Sequence, residues 1–71
     1  MENMDDDTID NAIDAIVGMK EADAFEYCRK YGIPVRVVMK NGKARATTDD
    51  IQPNRLNLEI VGTKVHSVSV G

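Results

Sequence analysis

A chain of 71 residues with nine Lys and Arg, twelve Asp and Glu and one cysteine is sized for one domain, forms no internal disulfide, and has nothing near the ~20 apolar residues of a membrane span. A domain this small buries only about 60% of its unfolded surface, and a secreted one would ordinarily add disulfides, so a reducing, cytoplasmic setting is expected. The net charge of −3 hides an asymmetry: Glu2, Asp5, Asp6, Asp7, Asp10 and Asp14 precede Gly18 without a base, and the remainder, nine bases against six acids, is +3.

The acidic start has no continuous apolar run, so it does not read as a secretory leader. Residues 1–7 are expected to be frayed. Thr8 is placed to cap a short helix, because Ile9, Ala12, Ile13, Ile16 and Val17 recur at helical spacing and Asp10 suits the first turn. Gly18 ends or bends it. A second, main helix runs from about Lys20 to Tyr31. Ala24, Phe25, Cys28 and Tyr31 form its apolar stripe, Arg29 and Lys30 sit in its last turn, and Gly32 stops it in a left-handed conformation. Neither Met19 nor Lys20 is a good cap.

Pro34 cannot extend that helix. Val35 to Met39 is β-branched and short, hence a strand, with Val35, Val37 and Met39 on one face and Arg36 and Val38 on the other. Asn41-Gly42 is a turn dipeptide that either closes a hairpin onto Ala44 to Thr47 or releases the chain into a long loop. The polar stretch to Asn54 has no apolar period. The strand at Leu56 to Val61 alternates, with Leu56, Leu58 and Ile60 inward. Gly62-Thr63-Lys64 leads into a last strand, Val65 to Val70. The expected fold is α+β: one main helix packed on a small mixed sheet, a protruding binding loop on the other sheet face, and a short N-terminal helix.

Little reactive chemistry is available. Cys28 lies on the apolar stripe and His66, the only histidine, alternates on a strand, so a Cys–His nucleophile pair is not expected. One His, one Cys and scattered carboxylates make no zinc set, and no glycine-rich phosphate loop occurs. Asp49 and Asp50, adjacent in an extended loop, point apart and make a poor acid–base pair. Arg36, Lys40, Lys43 and Arg45 cluster near the Asn-Gly turn without aromatics for base stacking, which argues against nucleic acid. The chain does not read as an enzyme and calls for no metal or cofactor.

What remains is an arrangement around the loop. Arg55 and Asn57 leave their strand on one face, two residues apart, and Thr48 and Asp50 share a side of an extended loop. A carboxylate and hydroxyl facing a guanidinium and amide can hydrogen-bond and hold the loop in one shape. The plainer alternative is that Asp50 and Arg55 merely close a turn, since exposed ion pairs are worth only ~0–1 kcal/mol.

From Ile16-Val17-Gly18 and Glu21 through Ala24, then Gly32 before Val35 through Val38, Asn41-Gly42, Thr48-Asp49-Asp50, Pro53 through Leu58 and the ending Val68 through Gly71, the chain resembles the small bacterial peptidase inhibitors related to potato inhibitor I. The match covers about residues 16–71 and leaves 1–15 as an acidic extension. The resemblance implies a loop, residues 46–52, that enters a serine protease cleft as an extended substrate. Asp49 would be the primary specificity residue and Asp50 the next, Thr48 and Asp50 would be braced by Arg55 and Asn57, and Gly71 would close the last strand. Two departures follow from the residues: Asp49 stands where family members more often present an apolar or long side chain, and Val70 where secreted bacterial members tend to have a cysteine. The expected partner is therefore a protein, a serine protease with a basic pocket. The alternative is a non-inhibitory interaction module or antagonist that acts through its acidic N-terminal helix. Ile9, Ile13 and Ile16 also offer a face for a homodimer.

Overall fold

The structure, a computed structural model, describes residues 6–71. It is α+β. Helices α1 (Asp6–Ile16) and α2 (Glu21–Lys30) precede four strands, β1 (Val35–Lys40), β2 (Lys43–Ala44), β3 (Leu56–Val61) and β4 (Lys64–Val70), in one sheet of order β2-β1-β3-β4. β1 pairs parallel with β3, while the β1–β2 and β3–β4 pairs are antiparallel. The sheet is thus mixed, as expected.

α1 begins at Asp6, so Asp6 and Asp7, expected to fray, are helical and Thr8, the expected cap, lies inside the helix; the fraying expected for the rest of residues 1–7 falls on residues outside those described. Its spacing puts Ile9, Ala12 and Ile16 into the core with 6%, 1% and 0% exposure, and Ile13 packs against them. The face offered to a second copy is therefore occupied by the chain's own core. Helix α2 buries Ala24 and Cys28, with Phe25 and Tyr27 packed alongside. Tyr31 is a correction: at 51% exposure it lies off the stripe, because the helix ends before it and Gly32, at φ +68°, redirects the chain.

That end is a Schellman motif: the Ile33 N–H donates to the Cys28 carbonyl (2.8 Å) and the Gly32 N–H to that of Arg29 (3.2 Å). At the other end Lys20 makes no side-chain cap, as its chemistry predicts. The orphan N–H of Glu21 instead donates to the Thr63 carbonyl (2.8 Å). The Gly18 N–H donates to Val65 and the Val65 N–H to Met19 (2.9 and 2.8 Å), so the interhelix link is stitched to the start of β4.

The core sits between the helices and the inner sheet face. Leu56, Leu58 and Ile60 of β3 are fully buried, joined by Val65 and Ile33. β3 is central and alternates in register with its pattern. Asn41-Gly42 does close a hairpin, with both residues at positive φ (+52° and +79°). The strand it opens stops at Ala44, however, instead of reaching Thr47. The Asn41 side chain is spent elsewhere: its Oδ1 accepts from the Gly62 N–H at 2.7 Å and locks the turn to the neighbouring one. Among the described residues no helix is long and apolar enough to cross a membrane.

Candidate functional site

The parallel pairing of β1 and β3 dictates the loop. β1 ends at one end of the sheet, and β3 must start at the other. Six strand residues at ~3.3 Å each separate those ends, so the connection has to run back along the sheet in an extended form. After the Arg45 N–H donates to the Val38 carbonyl (2.9 Å), residues 46–53 are all exposed. The chain re-enters the sheet by a turn in which the Arg55 N–H donates to the Gln52 carbonyl (3.0 Å), with Pro53 in the position where its fixed φ suits a turn. That reversal carries Asp50 back over the Arg55 side chain.

Arg55 is the hub. It is only 8% exposed, the one buried charged residue among those described. Its Nη2 donates to the Asp50 carbonyl (2.9 Å) and its Nη1 to Asp50 Oδ2 (3.3 Å). Its Nε and Nη2 donate to the Gly71 oxygen (3.1 and 3.0 Å), and the Gly71 N–H returns a bond to the Arg55 carbonyl (2.9 Å). One planar fork therefore joins the loop, the start of β3 and the end of β4. Gly71 has φ +150°, and a Cβ there would come to 3.6 Å from Asn57 Nδ2.

Asn57 acts differently from expectation. Its side chain hydrogen-bonds neither Thr48 nor Asp50. Its Oδ1 accepts from Arg36 Nε (2.7 Å) and its Nδ2 donates to the Gly71 oxygen (3.4 Å). Arg36 then reaches the loop, its Nη1 lying 3.4 Å from both the carbonyl and Oγ1 of Thr48. The second brace thus comes from β1 through Asn57. Reading Arg36 only as part of a basic cluster missed it. No local sequence signal pointed to it, because only the parallel register sets Arg36 directly opposite Asn57. Gln52 was missed as well: its Nε2 donates to Asp50 Oδ2 at 2.9 Å.

Asp50 is consequently ringed by donors. The Thr48 hydroxyl donates to its Oδ1, Gln52 to its Oδ2, and Arg55 stands beside it. The Thr48 hydroxyl first, then the Gln52 amide and more weakly the Arg55 charge, lower its pKa from 3.8 to about 2. A carboxyl whose folded pKa is lowered gives stability that is complete above its ordinary value and is lost as pH falls through the folded one. The brace is therefore expected to hold at pH 4 and to fail towards pH 2. An NMR titration of the Asp50 side chain checks this, and Thr48→Val should return the midpoint towards 3.8 because it removes the largest contributor. A midpoint that does not move on that substitution contradicts the assignment.

Asp49, between the two anchored residues, is exposed and makes no side-chain bond among the described residues. Ile51, the residue after Asp50, is 83% exposed. The arrangement displays the side chains of Asp49 and Ile51 on a braced backbone. Cys28 is buried, its thiol pKa raised by desolvation, while His66 is exposed on β4. No cluster of metal-ligating side chains occurs among the described residues. Comparison with family models, with curated proteins and with solved structures returned no match.

Proposed function

We propose that the chain is a serine protease inhibitor-like binding protein that presents residues 46–52 to the cleft of a target protein in its own intracellular compartment. The observation that carries this reading is the double brace. Arg55 holds the carbonyl and carboxylate of Asp50 from β3, and Arg36 holds Thr48 from β1, so both flanks of Asp49 are tied to the sheet. A loop already held in its bound shape loses little conformational entropy on docking. A braced peptide also resists the movement that hydrolysis requires, so it would be cut slowly.

The side chains on offer set the partner. Asp49 would enter the primary pocket, and a carboxylate buried there without a cation costs several kcal/mol, so the target is a protease with a basic pocket. Ile51, exposed on the same loop, adds an apolar contact on the leaving side. The test is an inhibition panel of trypsin-, chymotrypsin- and elastase-like enzymes together with an Asp/Glu-specific serine protease. Inhibition is expected for the last alone, and Asp49→Ala should weaken it by about thirtyfold or more, the size of a central interface residue. Silence across the panel, or indifference to Asp49→Ala, refutes the proposal.

A further inference from the structure

The helix side of the sheet carries a groove of about 920 Å³, and no residue of the loop lines it. It exists because the helices cover the sheet unevenly. β3 buries Leu56, Leu58 and Ile60 beneath them, whereas every residue of β1 stays half-buried. Phe25 of α2, Ile33 and Val35 make the apolar part of the lining, and the groove runs the length of α2 from Lys20 to Arg29.

The same strand has an open edge. β2 is two residues long and covers only Met39 and Lys40, with one more bond from Arg45 to Val38. On the inner side the Leu56 N–H donates to the Pro34 carbonyl (2.9 Å). In a parallel ladder that phase gives the backbone groups of Arg36 to β3 and turns those of Val35 and Val37 outward. Among the described residues no turn or loop backbone group bonds to them, and β2 pairs with Met39 and Lys40 alone. Unpaired N–H and C=O groups beside an apolar hollow are what strand addition uses: the backbone supplies affinity, and alternate side chains enter the hollow.

The charges around it favour one sign. Lys20 and Arg29 on the rim, and Lys43 and Arg45 where β2 stops, have no hydrogen-bonded or ion-pair partner for their side chains among the described residues. Lys40 is already paired with Glu21 at 3.0 Å, which leaves Glu26 as the one unpaired acid on the lining. A second copy pairing its own β1 edge here would set these cations against their own kind.

We propose that the open edge of β1 takes up an extended acidic segment of another protein, paired along Val35–Val37, with its alternate apolar side chains seated over Phe25 and Ile33. Ten helical residues span ~15 Å, so four or five strand residues at ~3.3 Å each fill the groove.

The experiment is an NMR titration of the full chain, at low salt, with a blocked hexapeptide alternating Val with Glu, and with its Val/Lys counterpart. The acidic peptide should shift the Val35 and Val37 amides and slow their hydrogen exchange by about tenfold or more at saturation. The Lys peptide should bind about tenfold more weakly, and the surface double variant Lys20→Glu/Arg29→Glu should invert that preference. Equal binding of both peptides, shifts confined to residues 46–52, or the same shifts produced by raising protein concentration alone would each overturn the proposal. The last result would assign the edge to a second copy.

Discussion

Arg55→Ala is expected to destabilise the chain by about 2–4 kcal/mol and to free the loop while the sheet order survives. The estimate rests on the buried guanidinium and its bonds to the backbone oxygens of Asp50 and Gly71, since hydrogen bonds to a charged group contribute more than neutral ones. For a domain of this size the loss corresponds to about 10–25 °C in melting temperature. Arg55→Lys should recover only part of it, because an ammonium keeps the charge without the planar fork that reaches both oxygens. Thermal unfolding by circular dichroism measures the first effect, and the rate of limited proteolysis within residues 46–52 measures the second. Melting within about 2 °C of the parent, with the loop no easier to cut, would show that the brace contributes nothing.

The second large effect lies in the acidic helix. Ile16→Ala is expected to cost about 2–5 kcal/mol, the range for removing a large aliphatic side chain from a packed core. Ile16 has 0% exposure and sits with Ile9, Ala12, Leu58 and Ile60 in one cluster. A domain of this length has a total stability of only about 4–11 kcal/mol, so a substantial unfolded fraction should appear at 37 °C. The neighbouring Val17→Ala, at 47% exposure, should be nearly neutral and serves as the control. Urea denaturation of the two variants decides the matter. Equal midpoints would mean that α1 is not part of the cooperative unit. The prediction also changes how the alternative role of this helix can be tested. Deleting residues 1–15 would remove Ile9 and Ala12 from the core, whereas Asp10→Asn with Asp14→Asn alters the exposed acidic face alone.

The periodic segments were legible because their pattern reports which face is buried. Leu56, Leu58 and Ile60 alternate, and β3 buries those three. Gly32 followed a helix whose last turn held Arg29 and Lys30, and it closes a Schellman motif. Tyr31 was misassigned because helical spacing cannot tell where a left-handed residue will redirect the chain. The brace was half legible. Arg55 and Asp50 are five residues apart and joined by a turn with its own signature at Pro53, so local geometry brings them together. Arg36 and Thr48 are twelve apart, and Arg36 and Asn57 twenty-one, so nothing local connects them.

The sequence by itself determined where helices and strands lie, which side chains turn inward, that the stretch before Arg55 is exposed, and that reactive and metal-binding groups are scarce. These are properties of period, polarity and turn chemistry, and each is set within a dozen residues. Only the tertiary structure decided that β1 and β3 run parallel, and everything distinctive follows from that choice. It sends the loop back along the sheet, sets Arg36 opposite Asn57, gathers two strands and the last residue around one guanidinium, and leaves β1 with an open edge. Strand pairing is settled by how the whole set of apolar faces is buried at once, a sum over distant residues that no single window contains.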